Sequence, residues 1–359
     1  MKNKKTLRWV GLGWVLGAIL AVLSPQTGTA ADLESLQTSG GGYFERLVGI
    51  SDSLLPKTAA ATVEQTADGL RFSQDVILRG SLGMDACRAF QIWGNFYAGG
   101  GNIKPDGFGE KIKHDLDGTQ LGLTLGLGNA FSLSGYYNYN DSSAKYNGAK
   151  NSTSTHLGGL GLRYNLSGFY FSLLGNYGDD CSTLKETDGD HRSLDYDGWQ
   201  ATGFFETGFQ WPTSGRLFVL TPFSNFQYSS MEFDGFNRAQ FTTTGKSVSY
   251  DAFYQTLGSR IDLNLPGCGM LGLQGRLAWV HQYLGEAAPI NNYQFGRIPG
   301  TLTPISAFYE GNGGRDWFWG GIGAKLSLFN LLSATLDYDV LLNAHQTTHV
   351  GSVGLMIGF

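Results

Sequence analysis

Charge is what this chain has least of. Only 15% of its 359 residues are Asp, Glu, Lys or Arg, against about 25% in a soluble globular domain. Proline is scarce too, at 9 residues, which excludes a collagen-like chain or a Pro-rich linker. The three cysteines, Cys87, Cys181 and Cys268, are odd in number and widely spaced. They allow one disulfide at most and form neither a C-x-x-C redox motif nor a zinc site. Long apolar runs are missing as well: hydrophobic residues make up 42% of the chain and mean hydropathy is near zero, which excludes a bundle of membrane helices. What is abundant is glycine, 53 residues, together with 13% aromatics. Aromatic content this high is the opposite of a disorder signature, so an ordered structure uses glycine and aromatics together.

The first thirty residues set the compartment. Lys2, Lys4, Lys5 and Arg8 precede an uncharged apolar stretch from Trp9 to Leu23, the pattern of a secretory signal that is too short to span a membrane. Small residues at Gly28, Thr29, Ala30 and Ala31 predict cleavage after Ala30 or Ala31. Cleavage leaves 21 basic against 30 acidic residues, a formal charge of −9. An acidic exported chain is a poor match for nucleic acid. Residues 31–88 read as a linker with one or two helices, Tyr43 to Leu55 and Thr58 to Arg79, after a flexible Ser39 to Gly42 run and with Pro56 as the break.

From Ala89 onward the hydrophobic period becomes two. Phe90, Ile92, Gly94 and Phe96 alternate with Gln91, Trp93, Asn95 and Tyr97, and Leu121, Leu123, Leu125 and Leu127 alternate with Gln120, Gly122, Thr124 and Gly126. The pattern predicts twelve strands: 89–99, 117–128, 130–140, 154–165, 168–178, 197–211, 215–230, 249–264, 269–284, 315–329, 331–342 and 347–359. Tight turns at Asn129, Ser167-Gly168, Pro212 to Gly215 and Pro266-Gly267 alternate with long polar connections. An even strand count, with short turns at one rim and long loops at the other, is the signature of a transmembrane β-barrel whose termini lie on the short-turn, periplasmic side. The fold expected of residues 89–359 is therefore all-β, a twelve-stranded antiparallel transmembrane β-barrel preceded by a short helical or linker segment.

The two faces agree with that reading. Leu121 to Leu127, Phe131, Leu133, Phe169 to Leu173, Phe205, Phe209, Ile261, Leu263 and Val353 to Phe359 supply an outward apolar side. The inward side carries Ser132, Ser134, Asn138, Gln200, Gln210, Gln274 and the charged residues Glu206, Arg260, Asp262, Arg276, Lys325, Asp337 and Asp339, the candidate lining of a pore. Tyr137, Tyr139, Tyr164, Tyr177, Trp199, Trp211, Trp279, Tyr283 and Tyr338 lie near strand ends, where interfacial belts form. Glycines are expected where tilted strands bend or an aromatic neighbour covers the gap.

Several short segments follow one another along the strands in a fixed order: Ile92-Trp93-Gly94; Gly118 to Gly126; Leu220-Thr221-Pro222-Phe223 through Tyr228; Leu257-Gly258-Ser259-Arg260; and Leu277-Ala278-Trp279-Val280-His281. Arg315-Asp316 with Gly321 to Gly323, Leu336-Asp337-Tyr338-Asp339, His349 and Gly354 to Phe359 complete the series. Read together, they resemble the translocator β-domain of autotransporters, the type V secretion family. The resemblance implies an outer-membrane barrel, a plug helix at Thr58 to Arg79, and a last-strand signal at Val353, Leu355, Ile357 and Phe359. Periplasmic chaperones and the barrel-assembly machinery would read that signal; outer-membrane lipid is the other implied partner. Only residues 31–88 separate signal from barrel, so no substantial passenger is expected, and the one Asn-Asn pair, Asn291-Asn292, does not precede the first strand as lumenal self-cleavage requires.

Enzymatic chemistry finds little support. His345 and His349 lack the helix and Glu of a zinc protease motif, and no Gly-x-Ser-x-Gly elbow stands in a strand-turn-helix context. Asp188, Asp190, Asp195 and Asp197 with His191 and Arg192 form an acidic segment that could hold Ca²⁺ or serve an outer-membrane hydrolase; its spacing fits no EF-hand. Asn151-Ser152-Thr153 is a formal glycosylation sequon. Neither a cofactor nor a metal is expected. Arg260 and Arg276, near Glu206 and Asp262, would line a pore or anchor a plug, and a surface adhesion barrel acting through its loops is the remaining alternative.

Overall fold

The computed structural model describes residues 90–103, 112–127, 130–146, 149–166, 168–186, 193–212, 218–233, 237–238, 243–244, 248–265, 271–284, 316–328, 331–344 and 346–359. The signal, the linker and the Thr58 to Arg79 segment lie outside the described residues. Twelve strands form the wall: β1 (Phe90–Ile103), β2 (Ile112–Leu127), β3 (Phe131–Tyr146), β4 (Ala149–Leu166), β5 (Phe169–Glu186), β6 (Ser193–Phe209), β7 (Phe218–Phe233), β8 (Val248–Asn264), β9 (Leu271–Leu284), β10 (Asp316–Leu328), β11 (Leu332–Leu342) and β12 (Gln346–Gly358). Each pairs antiparallel with its neighbours in sequence, and β12 returns to β1 with Gln91 opposite Gly358. The ring is closed, so the barrel leaves no edge whose backbone groups lipid could not satisfy. At the seam the Phe359 amide donates to the Phe90 carbonyl at 2.8 Å, and the two rings lie 6.1 Å apart.

At one rim the strands run further than their apolar alternation. A long loop was expected between 140 and 154, yet β3 and β4 extend to Tyr146 and from Ala149, leaving two residues between them. Likewise β5 continues to Glu186, β6 begins at Ser193, and β11 and β12 are three residues apart. Strict alternation of long and short connections therefore fails at this rim. Ser, Thr and Asn on both faces hide a period of two while leaving the ladder intact: Thr153 and Ser182 hydroxyls share a hydrogen bond of 2.9 Å inside the wall. At the opposite rim Gly168 takes a φ of +94°, a left-handed conformation that glycine adopts at no steric cost and that the tight β4–β5 turn requires.

Alternation sorts the faces. Leu121, Leu123, Leu125, Leu127, Phe131, Leu133, Leu160, Leu162, Phe169, Phe171 and Leu173 are exposed on the outside. On β3 this side stays apolar or aromatic from Phe131 to Tyr139, then turns to Asp141, Ser143 and Lys145. Nine residues match the roughly 9–11 that a tilted strand needs to cross a bilayer. The inner face holds a second aromatic set that composition did not separate from the belt. Trp93, Tyr97, Tyr136 and Tyr170 are buried, and each lies directly opposite a glycine on the next strand: Gly122, Gly118, Gly159 and Gly208. A Cβ at any of these four glycines would run into the facing ring. Each ring lies flat on bare backbone, covering the gap as expected.

Candidate functional site

Most charged residues of the inner wall gather on the short-turn side of the barrel; Asp180, buried on β5 nearer the other rim, stands apart and accepts from Thr155 and Gln200. Glu206 on β6 is fully buried and receives both Arg260 Nη atoms from β8, at 3.1 and 2.9 Å. Tyr170 donates to the same carboxylate at 2.9 Å and Asn225 at 3.4 Å. The Arg260 guanidinium also lies 3.6 Å from the Phe223 ring centroid. A bidentate pair in a low-dielectric wall, with its carboxylate oxygens further hydrogen-bonded, meets the condition under which buried ions are tolerated.

Arg276 on β9 sits directly opposite Arg260 in the β8–β9 register. Its Nη2 lies 3.2 Å from Asp337 and its Nε 3.0 Å from Asp339, both on β11. Strand β10 runs between them, and the guanidinium crosses it because Gly321 and Gly323 carry no side chains: a Cβ on either would overlap Asp339, Arg276 or Asp337. Trp319 donates to Asp339 at 3.0 Å. Asp262 is half-buried beside Arg260 and Arg276 on a cavity that Arg163, Gln210, Gln274 and Asp337 also line, while Lys325 is buried on the inner face of β10. Arg163 stacks 4.1 Å over the Tyr170 ring. At the short-turn end of the wall four acids, Glu206, Asp262, Asp337 and Asp339, thus face four cations, Arg163, Arg260, Arg276 and Lys325. Balanced charge lines a lumen without committing it to one sign of ion.

The sequence pointed to these four acids and to all but one of the four cations, and it missed Asp180. Arg163, Tyr170, Asn225, Trp319 and the glycine gap went unnoticed; the Gly320-Gly321-x-Gly323 run was the available signal. Val353, Leu355, Ile357 and Phe359 are exposed on the outer face of β12 and at its end. Asp188, Asp190, His191, Arg192 and His345 lie outside the described residues. Asp195, expected in the connection before strand 197–211, and Asp197 are both exposed on the outer face of β6, because the ladder extends past the aromatic belt. His349 faces outward and pairs with Tyr338 at 2.7 Å. Asn151 is buried on the inner face and donates to the Tyr196 hydroxyl at 3.0 Å. Among the described residues no group of three His, Cys, Asp or Glu side chains could hold a metal ion.

A closed antiparallel ring with an apolar outside, aromatic belts and a polar inner wall defines a transmembrane β-barrel of the outer-membrane type. The "Autotransporter beta-domain" family matches residues 92–339, well over half of the sequence, and the chain belongs to that family. The translocator domain of autotransporter NalP from Neisseria meningitidis is similar at a TM-score of 0.61 and 16% identity, covering 83% of this chain and 98% of that one. The β domain of the Bordetella autotransporter BrkA gives 0.58 at 15%, covering 76% and 100%. The transport unit of AIDA-I from Escherichia coli gives 0.56 at 13%, covering 81% and 98%. No curated protein sequence matches the chain. Barrels of this family reside in the bacterial outer membrane, and this chain is a translocator-type β-barrel.

Proposed function

We propose that this barrel acts as a narrow outer-membrane pore plugged by its own Thr58 to Arg79 segment, and that it has no catalytic role. One observation carries the reading: a neutral Arg260–Glu206 pair and an Arg276–Asp337–Asp339 triad, one cation against two acids, stand side by side on the inner wall of a closed ring. With Arg163, Lys325 and Asp262 on the same part of the wall, four cations stand against four acids and set a polar surface for a passing or resident polar chain. In this reading residues 1–30 direct export and are removed, and Thr58 to Arg79 forms the helix that fills the lumen. Glu206, Arg260, Asp262, Arg276, Lys325, Asp337 and Asp339 line the path. Periplasmic chaperones and the assembly machinery insert the barrel by way of Val353, Leu355, Ile357 and Phe359, with the short turns left in the periplasm.

Planar-bilayer conductance of the chain from residue 31, compared with the chain from residue 89, tests this. Low conductance in the first and a several-fold larger one in the second is expected. Equal currents would remove the plug, and no current in either would remove the pore. A slower-migrating band after boiling, relative to unheated protein on a gel, checks that both proteins are folded barrels.

A further inference from the structure

Beyond the aromatic belt, the strand register lines up four lysines. Lys113 on β2 faces Lys145 on β3, Lys145 faces Lys150 on β4, and Lys150 faces Lys185 on β5. Lys113, Lys145 and Lys185 are exposed and Lys150 is half-buried, and each shares the outward parity of the lipid-facing residues lower on its strand. Adjacent strands lie about 4.8 Å apart, so the row spans roughly 14 Å. Among the described residues one carboxylate approaches it, Asp115, 3.5 Å from Lys145 with both side chains more than half exposed. Like charges directly opposite one another weaken a sheet, and an exposed pair at that distance returns little. Four adjacent lysines on an otherwise acidic chain are a surface that an anion would relieve.

Position narrows the anion. Lys145 is six residues beyond Tyr139 on the same strand, about 20 Å along it and about 14 Å above the belt at a 45° tilt. An ordinary headgroup layer adds only about 5–8 Å beyond the hydrocarbon. The row next below the lysines holds Ser143, Ser152 and Thr183 between the exposed carboxylates of Asp115 and Asp195, with Thr183 donating to Asp195 at 2.9 Å; hydroxyls and carboxylates together suit the hydroxyls of sugars. Lower still, Asp117 and Asp141 face each other on the outside and repel anions nearer the hydrocarbon. We propose that the Lys113–Lys145–Lys150–Lys185 row binds the phosphate-bearing core glycan of an outer-leaflet glycolipid, holding the protruding β2–β5 wall against the membrane's sugar layer. The inference rests on the outward orientation of this rim given above.

The test uses the chain from residue 31, refolded in neutral detergent. Its probes are outer-membrane glycolipid with a phosphorylated core, the same glycolipid with its core phosphates removed, and the acylated disaccharide anchor without core sugars. Binding is followed by microscale thermophoresis at low and high salt. Wild type is expected to prefer the phosphorylated core by at least tenfold, with the preference falling as salt rises. The quadruple change Lys113→Gln, Lys145→Gln, Lys150→Gln and Lys185→Gln should abolish the preference while the boiling-dependent band shift persists. A second variant, Lys145→Gln with Lys150→Gln, should lose several-fold and guards against misfolding of the first. Inorganic phosphate at millimolar concentration is expected not to compete; full competition would mean the row takes any small phosphate and would overturn the glycan assignment. Equal binding by wild type and quadruple variant, or a preference that survives on the bare anchor, overturns the proposal. A barrel that conducts yet ignores core phosphates would sink this inference and leave the pore standing.

Discussion

Arg276 and Asp339 meet across the backbone of a third strand: the guanidinium Nε is 3.0 Å from Asp339 Oδ1, with Gly321 of β10 directly between them in the register. The sequence requirement is therefore an absence. Any side chain at Gly321 would occupy the space where the two groups touch. Gly321→Ala is expected to part the pair and leave two nearly buried charges without their best partners, a loss of about 3–5 kcal/mol. Urea unfolding of the refolded barrel, followed by tryptophan fluorescence, measures it. A midpoint equal to wild type would show that the pair contributes nothing to stability.

Gly122 carries the same logic on β2. Its missing Cβ leaves room for the Trp93 ring, which is 2% exposed and sits in a cluster with Tyr136, Leu174, Phe204 and Met356. Gly122→Ala should cost about 1–3 kcal/mol by overpacking, lowering the temperature at which the unheated gel band converts to the boiled one. Trp93→Leu in the same chain removes the clash, so the double variant should convert nearer to Trp93→Leu alone than the sum of the two losses requires. Strict additivity would argue that the ring does not press on Gly122.

The barrel was legible because lipid imposes a period of two on the outside of every strand. Leu121 to Leu127 and Val353 to Phe359 could face only one way. What escaped reading lies where that constraint ends. Above the belt, residues such as Ser142, Ser143, Ser152 and Thr153 are polar on both faces, so the β3–β4 hairpin resembled a loop although the neighbouring strands supply its ladder bonds. Inside, Glu206, Arg260 and Arg276 could be named as lumenal from parity alone, but their partners depend on which strands lie side by side and where a glycine lets a side chain cross. The lysine row is a register effect as well: its members are 32, 5 and 35 residues apart in the chain and become neighbours only through pairing.

Glu206 and Arg260 provide a test of whether the lumenal ions stabilise the wall or merely tolerate one another. Glu206→Leu alone strands a buried guanidinium beside Phe223 and Tyr170 and should cost about 3–5 kcal/mol. Glu206→Leu combined with Arg260→Met removes both charges and should recover most of that loss, or exceed wild type by about 1–4 kcal/mol, as apolar replacement of buried ion pairs often does. Chemical unfolding of both variants and wild type in one detergent decides it. If the double variant is no better than the single one, the cluster stabilises the barrel as an ion pair, and its retention needs no lumenal role to explain it.

Asp117 gives the pH test, on the part of β2 that rises past the belt. Partial burial, then the charges of Asp141 opposite and Asp115 on the same face, hold its pKa above the ordinary 3.8. Between that value and the raised one the folded barrel binds more protons at this site than the unfolded chain does, so the strain at neutral pH is relieved as pH falls through the raised pKa. Asp117→Asn removes the charge at every pH. Its thermal midpoint should therefore exceed wild type at pH 7, and the difference should shrink as pH is lowered and vanish below 3.8, where both carry a neutral side chain. The single exposed site predicts a small gain, which differential scanning fluorimetry across that range can resolve. A variant that is less stable than wild type at pH 7 would mean that Asp117 holds the protruding sheet together instead of straining it, and the carboxylates facing outward above the belt would have to be reread as stabilising.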